Sequence, residues 1–590
     1  MDWIRSKLSI IRRICTFGMV VLVTSDKRLH RIVIFIWKIV GKKGKDEIGM
    51  IKIKKQIFCF VKKKKILFIL TIFLSVIGVV FSYLQPVFSQ KLIDNGLVKG
   101  IYSNVIYYTI LILGTIIFQQ ISEIIQTRNY ARLKNDFVEY LYGKAFEKIV
   151  ILNVNYFDQT NSTSLSNVLT LDINNISMLF DSGTLVVINY GIITIGAIIG
   201  LAHINLYLTF LVLLFLPIKL AFTILFSKKI EKINNNLIHE SQKFYEWWGE
   251  TIDGLKEIKL WNLFNKKNIF LKGKQHDILE LRYKASMIDC YNTTFDNILE
   301  WIIRTLIYGI AGYLVCQRKM TVGVLLAFIT YTEYIIRPIS TVLYVKFIIA
   351  RIKPSLKHFS LFLDSPEEVD SGVLKVDKFK KLEFKNVSFS YRDKDLLKNI
   401  NLVLHAGEKI AIIGENGSGK TTLANIILRF IVPDSGELCL NEQNVLDYNM
   451  IEYRNVFSVC SQSIFLFKNS LRYNLDLKEE LSDDQIIKYD EGFWGVTKEL
   501  LNKQLNNNAK NLSGGERQRI ALSRALCKNS EVFIFDESDS NLDQNSAYKL
   551  EEIINKLDHK AVILITHRKT NFDNMDSVYL LKQGVLKKIK

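Results

Sequence analysis

The stretch Ile66–Phe88, "ILFILTIFLSVIGVVFSYLQPVF", carries no charged residue. An α-helix rises ~1.5 Å per residue and the hydrocarbon core of a bilayer is about 30 Å thick, so about 20 mostly apolar residues make one span. Ile101–Ser122 is a second charge-free run. Ser182–Ile218 holds no Asp, Glu, Lys or Arg and is too long for one crossing, so it reads as two helices broken near Ala202–Asn205, "AHIN". Asn297–Cys316 and Thr321–Val345 form a last hairpin. Six spans result, so this part of the chain is expected to be an α-helical membrane domain.

The rest of the chain must be something else. At 590 residues it is long enough for two to four domains. Its 49% hydrophobic content, with only six prolines, fits a protein that is part membrane and part globular. The net charge of +20 prompts a search for nucleic acid, but the charge sits in one place. Residues 1–49 carry eleven Lys/Arg against four Asp/Glu, and residues 50–65, "MIKIKKQIFCFVKKKK", add seven Lys and no acid. Basic residues just ahead of a first span mark the cytoplasmic side. No nucleic-acid-reading motif accompanies them, so no nucleic-acid partner is expected. The seven cysteines are scattered singly without a C-x-x-C, which argues against a disulfide framework or a zinc site. Residues 1–49 lack the cleavage site of a secretory signal. They read either as a basic amphipathic segment on the inner membrane face or as an extension of little structural weight ahead of Met50.

With the N-terminus inside, the two long connections, between spans 2 and 3 and between spans 4 and 5, also lie inside. Long structureless loops are uncommon, so each helix pair is expected to continue into the cytoplasm and turn at a tip. The tips fall near Val154–Asn161, "VNYFDQTN", and Tyr245–Gly254, "YEWWGETIDG". Trp247 and Trp248 either insert at an interface with the globular part or pack within the helical bundle. Five ionisable residues interrupt the later spans: Lys219, Glu300, Arg304, Glu333 and Arg337. Lys219, Arg304 and Glu333 lie roughly 20 Å in from the outer turns, where charge is costly. Both Glu/Arg couples are spaced i, i+4, so intrahelical pairing accounts for them. The other reading is a polar belt along a translocation path, with Lys219 a surplus positive charge.

From about Leu382 short apolar strands alternate with helices, the pattern of an α/β domain. "KIAIIGENGSGKTTLANII" is a strand, a G-x-x-x-x-G-K-[ST] loop and a helix. In such a loop backbone N–H groups turn inward around phosphate and the helix dipole adds to them. Lys420 then reaches the outer phosphates and Thr421 suits Mg²⁺. "EVFIFDES" is a buried strand ending in Asp536 and Glu537, at the strand edge where α/β sheets bind ligands. Asp536 suits the Mg²⁺ shell, and Glu537 suits the base that orients an attacking water. His567 follows the strand "AVILIT" in the same way and is expected at the γ-phosphate. In "NLSGGERQRIALSRA", Ser513 and Glu516 make the S-x-x-E of a capping box. Gly514 and Gly515 cost backbone entropy that a capped helix has no use for, unless an anion must approach the bare N–H groups.

Together these residues resemble the ATP-binding cassette (ABC) transporter family over the whole of Leu382–Lys590. The elements in question are Gly414–Thr422 (Gly414, Glu415, Asn416, Gly417, Ser418, Gly419, Lys420, Thr421, Thr422), Gln462, Leu512–Glu516, Asp536–Glu537 and His567. They stand where that family has its Walker A, Q-loop, signature, Walker B and switch-histidine elements. Tyr391 in "VSFSY" matches the adenine-stacking aromatic, and Ser540–Asp543 resembles the D-loop. The six spans, and "MTVGVLLAFITYTEYIIRPIS" at the last of them, resemble the type I exporter, so the likeness runs from about residue 50 to the end. The stretch Leu505–Asn511, "LNNNAKN", departs from the family's Gly-Glu-x-Gly ahead of the signature.

The resemblance implies ATP and Mg²⁺ as ligands, with Gln462 beside Thr421 and Asp536 at the metal, and Glu537, His567 and Gln462 as the catalytic set. Tyr391, Gly414–Thr422, Ser513–Glu516 and Asp543 hold nucleotide, the signature serving the ATP of a partner chain. The expected organisation is a basic extension at 1–49, a six-helix membrane domain at 50–354, a linker at 355–381 and an α/β P-loop cassette at 382–590. No regulatory C-terminal domain is expected after "YLLKQGVLKK", and no peptidase domain at the N-terminus. The implied protein is a half-transporter in a bacterial cytoplasmic membrane, multi-pass, with N-terminus and cassette cytoplasmic. It would be in contact with membrane lipid and paired with a second half, as a homodimer in preference to a heterodimer. Its function would be ATP-driven export of a peptide, lipid or amphipathic small molecule. An importer built on the same fold and an ATP-gated channel or sensor subunit are the alternatives.

Overall fold

The computed structural model describes residues 56–590 apart from 155, 158–161, 369, 371, 392–393, 491–494, 507–508, 510, 539–543 and 568–571. The basic extension, most of Val154–Asn161 and the whole of Ser540–Asp543 lie outside the described residues. The chain forms two compact units, one from Met1–Val150 with Thr163–Ser365 and one from Ile151–Ser162 with Pro366–Lys590.

In the first unit the apolar runs become helices α1 (Lys65–Lys91), α2 (Tyr102–Ile151), α3 (Ser162–Ser177), α4 (Ser182–Ile204), α5 (Leu206–Asp253), α6 (Leu255–Leu260), α7 (Phe264–Cys316), α8 (Val322–Ile336) and α9 (Thr341–Leu363). Six helical segments among the described residues are long and apolar enough to cross a membrane. The expected break at "AHIN" is a cap: the Asn205 side chain accepts from Leu208 N at 3.1 Å, starting α5 afresh. α2, α5 and α7 hold 50, 48 and 53 residues, each about 75 Å long and far more than a bilayer needs. The tip between α5 and α7 is α6 and its flanking turns, beyond the two tryptophans. Trp247 packs against Phe270 of α7 with ring centroids 5.0 Å apart, beneath Lys267, so this indole belongs to the hairpin's own packing.

Lipid offers helices no hydrophobic reason to associate, so polar and small residues knit them. Gln126 of α2 is buried and sits at the centre of such a network. Its Oε1 accepts from Ser75 Oγ of α1 and from Asn189 Nδ2 of α4, both at 3.1 Å. The turn after α1 is tied to the start of α8, where Asp94 accepts from Gly323 N at 2.9 Å and Thr321 Oγ1 at 2.6 Å. A Cβ at position 323 would lie 2.4 Å from Gln90 O, so only glycine allows this approach.

The last span differs from the expected single run to Val345. α8 ends at Ile336, and Arg337–Ser340 forms a 3₁₀ turn before α9 begins. Pro338 supplies the reason, since it lacks the N–H that would continue the helix. Pro354 does not interrupt α9, which runs through it to Leu363 with Ile352, Leu356 and Phe359 buried along one face.

The charged residues of the later spans are paired between helices as well as within them. Arg304 meets Glu300 at 3.1 Å and also Glu333 of α8, which in turn lies 3.4 Å from Arg337. Lys219 is not a surplus charge. It is buried, lies 3.6 Å from Asp296 of α7 and donates to Ile336 O at 2.9 Å, the carbonyl of the last residue of α8.

The second unit contains two sheets. β1 (Lys381–Tyr391), β2 (Lys394–His405), β4 (Ser435–Leu440) and β5 (Gln443–Asn444) make an antiparallel sheet in the order β2-β1-β4-β5. β3 (Lys409–Ile413), β6 (Phe457–Cys460), β7 (Val532–Asp536), β8 (Ala561–Thr566), β9 (Ser577–Lys582) and β10 (Val585–Lys588) make the other, in the order β10-β9-β3-β8-β7-β6. All its pairings are parallel except β10 with β9. β7 and β8 are buried at every position, as unbroken apolar strands covered on both faces must be. Helices α10 (Lys420–Ile427), α11 (Gly514–Lys528) and α12 (Gln544–Lys556) complete the elements that bear on the site.

Candidate functional site

Parallel strands in register deliver their following residues to one edge. Ile413 pairs with Thr566, Asp536 with Ile565 and Cys460 with Phe535. The residues that come next are therefore neighbours: the Gly414 loop after β3, Gln462 after β6, Glu537 after β7 and His567 after β8. Ligands of α/β sheets bind at this carboxyl edge.

The loop itself is shaped by its glycines. Gly419 has φ +103°, a left-handed conformation that strains any other residue, and a Cβ at Gly414 would fall 2.5 Å from Leu581 O. Glu415, Asn416 and Gly417 stand exposed at the mouth, while Lys420 and Thr422 are buried at the start of α10. Lys420 Nζ donates to Gly414 O at 2.9 Å and Glu415 O at 3.1 Å, closing the loop around its own ammonium.

Glu537 is the hub. Its backbone is left-handed at φ +47°, unusual for a residue with a Cβ and of a kind found at functional positions. Its carboxylate accepts from Gln462 Nε2 at 2.6 Å and lies 3.5 Å from Lys420 Nζ and 3.8 Å from His567 Nδ1. Three elements of the sheet edge thus converge on one carboxylate. Asp536 points the other way, to the Thr421 hydroxyl. Its Oδ1 is buried with no hydrogen-bond partner among the described residues, and the same holds for Ser418 Oγ. A buried carboxylate oxygen left bare beside a threonine hydroxyl fits a hard cation, which takes few protein ligands when phosphate and water supply the rest.

Burial pushes the Asp536 carboxyl up to about 6, against its hydrogen bond to Thr421. The sign follows from linkage: a carboxyl raised in the folded state is a cost to folding once both states are ionised, and no cost where both are protonated. Asp536→Asn is therefore expected to raise the melting temperature of the nucleotide-free protein at pH 8, through about 3 kcal/mol at most, and to raise it little at pH 4. Thermal unfolding across this range checks the prediction; equal shifts at both pH values would contradict it.

At the start of α11 the capping box is complete: Glu516 N donates to Ser513 Oγ at 3.2 Å and Ser513 N to Glu516 Oε2 at 2.7 Å. These hydrogen bonds from Ser513 hold the Glu516 carboxyl below its ordinary range. Serine and glutamate are thus occupied with each other, while Gly514 N and Gly515 N have no partner among the described residues. Nor does a hydrogen bond or ion pair among those residues join Ser513–Glu516 to Lys420, Thr421 or Glu537. The connection runs through Gln518, a residue that none of the sequence motifs marks. It is buried and donates to Ser538 O at 2.9 Å, in the turn after Glu537. Tyr391 ends β1 with its ring half exposed and edge-on to Phe389. Asp543 lies outside the described residues.

Comparison with known proteins agrees with this construction. The model of the ABC transporter transmembrane region matches residues 68–339, and that of the ABC transporter cassette matches residues 397–540. A protein of Haemophilus influenzae named ATP-dependent lipid A-core flippase is 26% identical over 513 residues, covering 84% of this chain and 87% of its own. The Escherichia coli K12 protein of the same name is 24% identical over 512 residues, covering 84% and 87%. Among solved structures, a bacterial Atm1-family ABC exporter with ATP bound superposes with TM-score 0.72 at 18% identity, over 88% of this chain and 93% of that one, and so shares its fold. The two family models together match more than two thirds of the chain, in the order membrane region then ATPase. The chain belongs to the ABC transporter family, as a multi-pass membrane protein fused to its own ATP-binding, ATP-hydrolysing cassette.

Proposed function

We propose that this chain is one half of a dimeric ATP-driven exporter in a bacterial cytoplasmic membrane, cassette inside, carrying an amphipathic substrate outward. The observation that carries the reading is the split in the nucleotide machinery. A full phosphate cradle gathers around Glu537, while the N–H groups of Gly514 and Gly515 have no partner among the described residues. Two copies placed head to tail complete each other, which a homodimer does with one gene product.

In each composite site the N–H groups of Gly414–Thr422 and the Lys420 ammonium bind the phosphates of ATP, and Tyr391 stacks on its base. Thr421 and Asp536, with Gln462 nearby, would hold Mg²⁺, which supplies charge neutralisation at the phosphates. Asp543 is assigned to the same interface on the resemblance. Glu537 orients water toward the γ-phosphorus and accepts its proton, while His567 holds a γ-phosphate oxygen. The P–O bond to the β-phosphate breaks, and ADP and phosphate leave. Signature glycines from the partner make closure depend on ATP, and hydrolysis reverses it.

The curated relatives are named for lipid A-core, which supports an amphiphile as the cargo. In inside-out vesicles holding the purified protein, an exporter accumulates labelled amphiphile in the lumen only with ATP, and the Glu537→Gln variant does not. ATP-dependent depletion of preloaded vesicles would contradict the assigned direction.

A further inference from the structure

The chain leaves the membrane unit at Val150–Ile151 and again at Ser365–Pro366, and these two crossings are hydrogen-bonded side by side. Glu368 N donates to Ile151 O at 2.8 Å and Asn153 N to Pro366 O at 3.2 Å, with Leu152 paired to Glu367 in an antiparallel bridge. All of these residues belong to the second unit. Within the first unit, Lys148 Nζ of α2 donates to Ser365 O at 2.7 Å, so the two strands of chain are tied on both sides of the crossing.

The segment after α9, expected as a polar linker, is laid along the cassette. Asp370 Oδ1 accepts from Met450 N at 3.2 Å. Val373 N and Leu374 N both donate to Asp447 O at 2.9 Å, and Asn449 N donates to Leu374 O at 2.9 Å. A Cβ at position 372 would lie 2.2 Å from Tyr448 O, so the strap runs as close to this segment as glycine allows. Glu368 fastens its first end: Oε1 accepts from Arg454 NH2 at 2.9 Å and Oε2 from Arg454 NH1 at 3.0 Å. A two-pronged pair of this kind fixes direction as well as distance.

Arg454 stands where the phosphate-facing elements of the cassette meet at their far ends. Its Nε donates to Leu428 O at 3.1 Å and its NH2 also to Arg429 O at 3.3 Å, while Tyr453 Oη donates to Ile427 O at 2.5 Å. Ile427 is the last residue of α10, so Tyr453 and Arg454 cap that helix at the end opposite the phosphate cradle, where a cation is favoured. With eight residues α10 is only about 12 Å long, and its two ends move together. Lys528, the last residue of α11, donates to Arg454 O at 3.1 Å and to Phe457 O at 2.5 Å. β6, which leads to Gln462, begins at that same Phe457. Neither Glu368 nor Arg454 has a hydrogen bond or ion pair with Lys420, Thr421, Gln462 or Glu537 among the described residues.

Coupling between distant sites is carried by packed, hydrogen-bonded chains of rigid elements. We propose that Glu368 and Arg454 are positioning residues that pass the nucleotide-driven displacement of α10 and α11 to the paired crossings, and so to α2 and α9. The inference rests on the reading of a dimer that closes on ATP. Breaking the pair then leaves a cassette that binds and hydrolyses ATP without moving its membrane helices.

The test uses the full chain in liposomes, with Cys15, Cys59, Cys290 and Cys316 replaced by serine and the buried cysteines kept. Spin labels on Tyr548→Cys, an exposed site of α12, report the distance between two cassettes. Labels on Tyr142→Cys, an exposed site of α2, report the distance between two membrane units. A non-hydrolysable ATP analogue is expected to shift both distances in the otherwise unchanged protein. In Glu368→Ala the Tyr548 shift and the rate of ATP hydrolysis should hold within about twofold, while the Tyr142 shift falls below about a third. Glu368→Asp, which keeps the charge, should restore most of that shift, and Arg454→Lys, which keeps a cation without the fork, should reproduce the loss. A full Tyr142 shift in Glu368→Ala overturns the assignment. Loss of the Tyr548 shift in that variant overturns it as well, because the pair would then serve the cassette's own closure. A shift at Tyr548 with none at Tyr142 in the unchanged protein overturns it too, while leaving the dimer in place. No shift at either site overturns the dimer reading and this inference together.

Discussion

Replacing Glu537 by Gln is expected to slow ATP hydrolysis by about 10²- to 10⁴-fold while ATP binding persists. The change keeps the size and planarity of the side chain, so the hydrogen bond with Gln462 and the unusual backbone at position 537 can both survive. What disappears is the ability to accept a proton from water. Lys420 loses a carboxylate 3.5 Å away, yet it retains Gly414 O and Glu415 O and remains available to phosphate. The variant should therefore load ATP and stay closed on it, visible as nucleotide retained through gel filtration. Hydrolysis near the wild-type rate would remove Glu537 from the role of base.

Gly515→Asp is expected to lower hydrolysis at least about 100-fold for a different reason, and without loss of fold. An acidic residue in the first turn of a helix is favourable, worth roughly 0.3–1 kcal/mol against the dipole, and leaving glycine adds to this. The melting temperature of the nucleotide-free protein should hold or rise. A carboxylate at that position nevertheless occupies the face that Gly514 N and Gly515 N present, and repels phosphate. Stability and activity moving in opposite directions is the signature of an anion site; a variant that keeps its activity would leave the paired glycines unexplained.

Much of this site is legible before any coordinates, because its residues sit directly after apolar strands. "AIIG", "FIFDE" and "ILITH" each join a buried run to a functional group, and parallel strands in register can only bring such ends together. The capping box of Ser513 and Glu516 is local and equally readable. Gln518 is not, because its role lies in a hydrogen bond to Ser538, a tertiary contact with no periodic trace. The antiparallel sheet is also hard to foresee. β1 and β2 are long strands whose register shifts three times, between Phe384 and Ser390, and each shift breaks the alternation that a reader would follow.

In the membrane unit the spans are plain, whereas the charge pattern misleads at its border. Counting the fifth span from Asn297 leaves Asp296, Asn292 and Asp289 outside it, so Lys219 looks unpaired. The helix does not stop where the charge-free run does; α7 begins more than thirty residues ahead of the counted span, and the partner of Lys219 lies one residue beyond that span. The bend at Pro338 is a similar case. Its proline is visible in the sequence, but the bond from Lys219 to the Ile336 carbonyl becomes apparent only when α5 is packed beside it.

The central claim is that each nucleotide is served by two chains, and mixed dimers test it directly. Chains carrying Lys420→Ala and Gly515→Asp are purified as differently tagged pairs, either with one change on each chain or with both on one chain beside a wild-type partner. If the signature of one chain completes the phosphate cradle of the other, separating the changes leaves one composite site whole, and combining them on one chain leaves none. The account predicts hydrolysis in the first dimer and none above background in the second; hydrolysis in the second dimer, with none in the first, would contradict it.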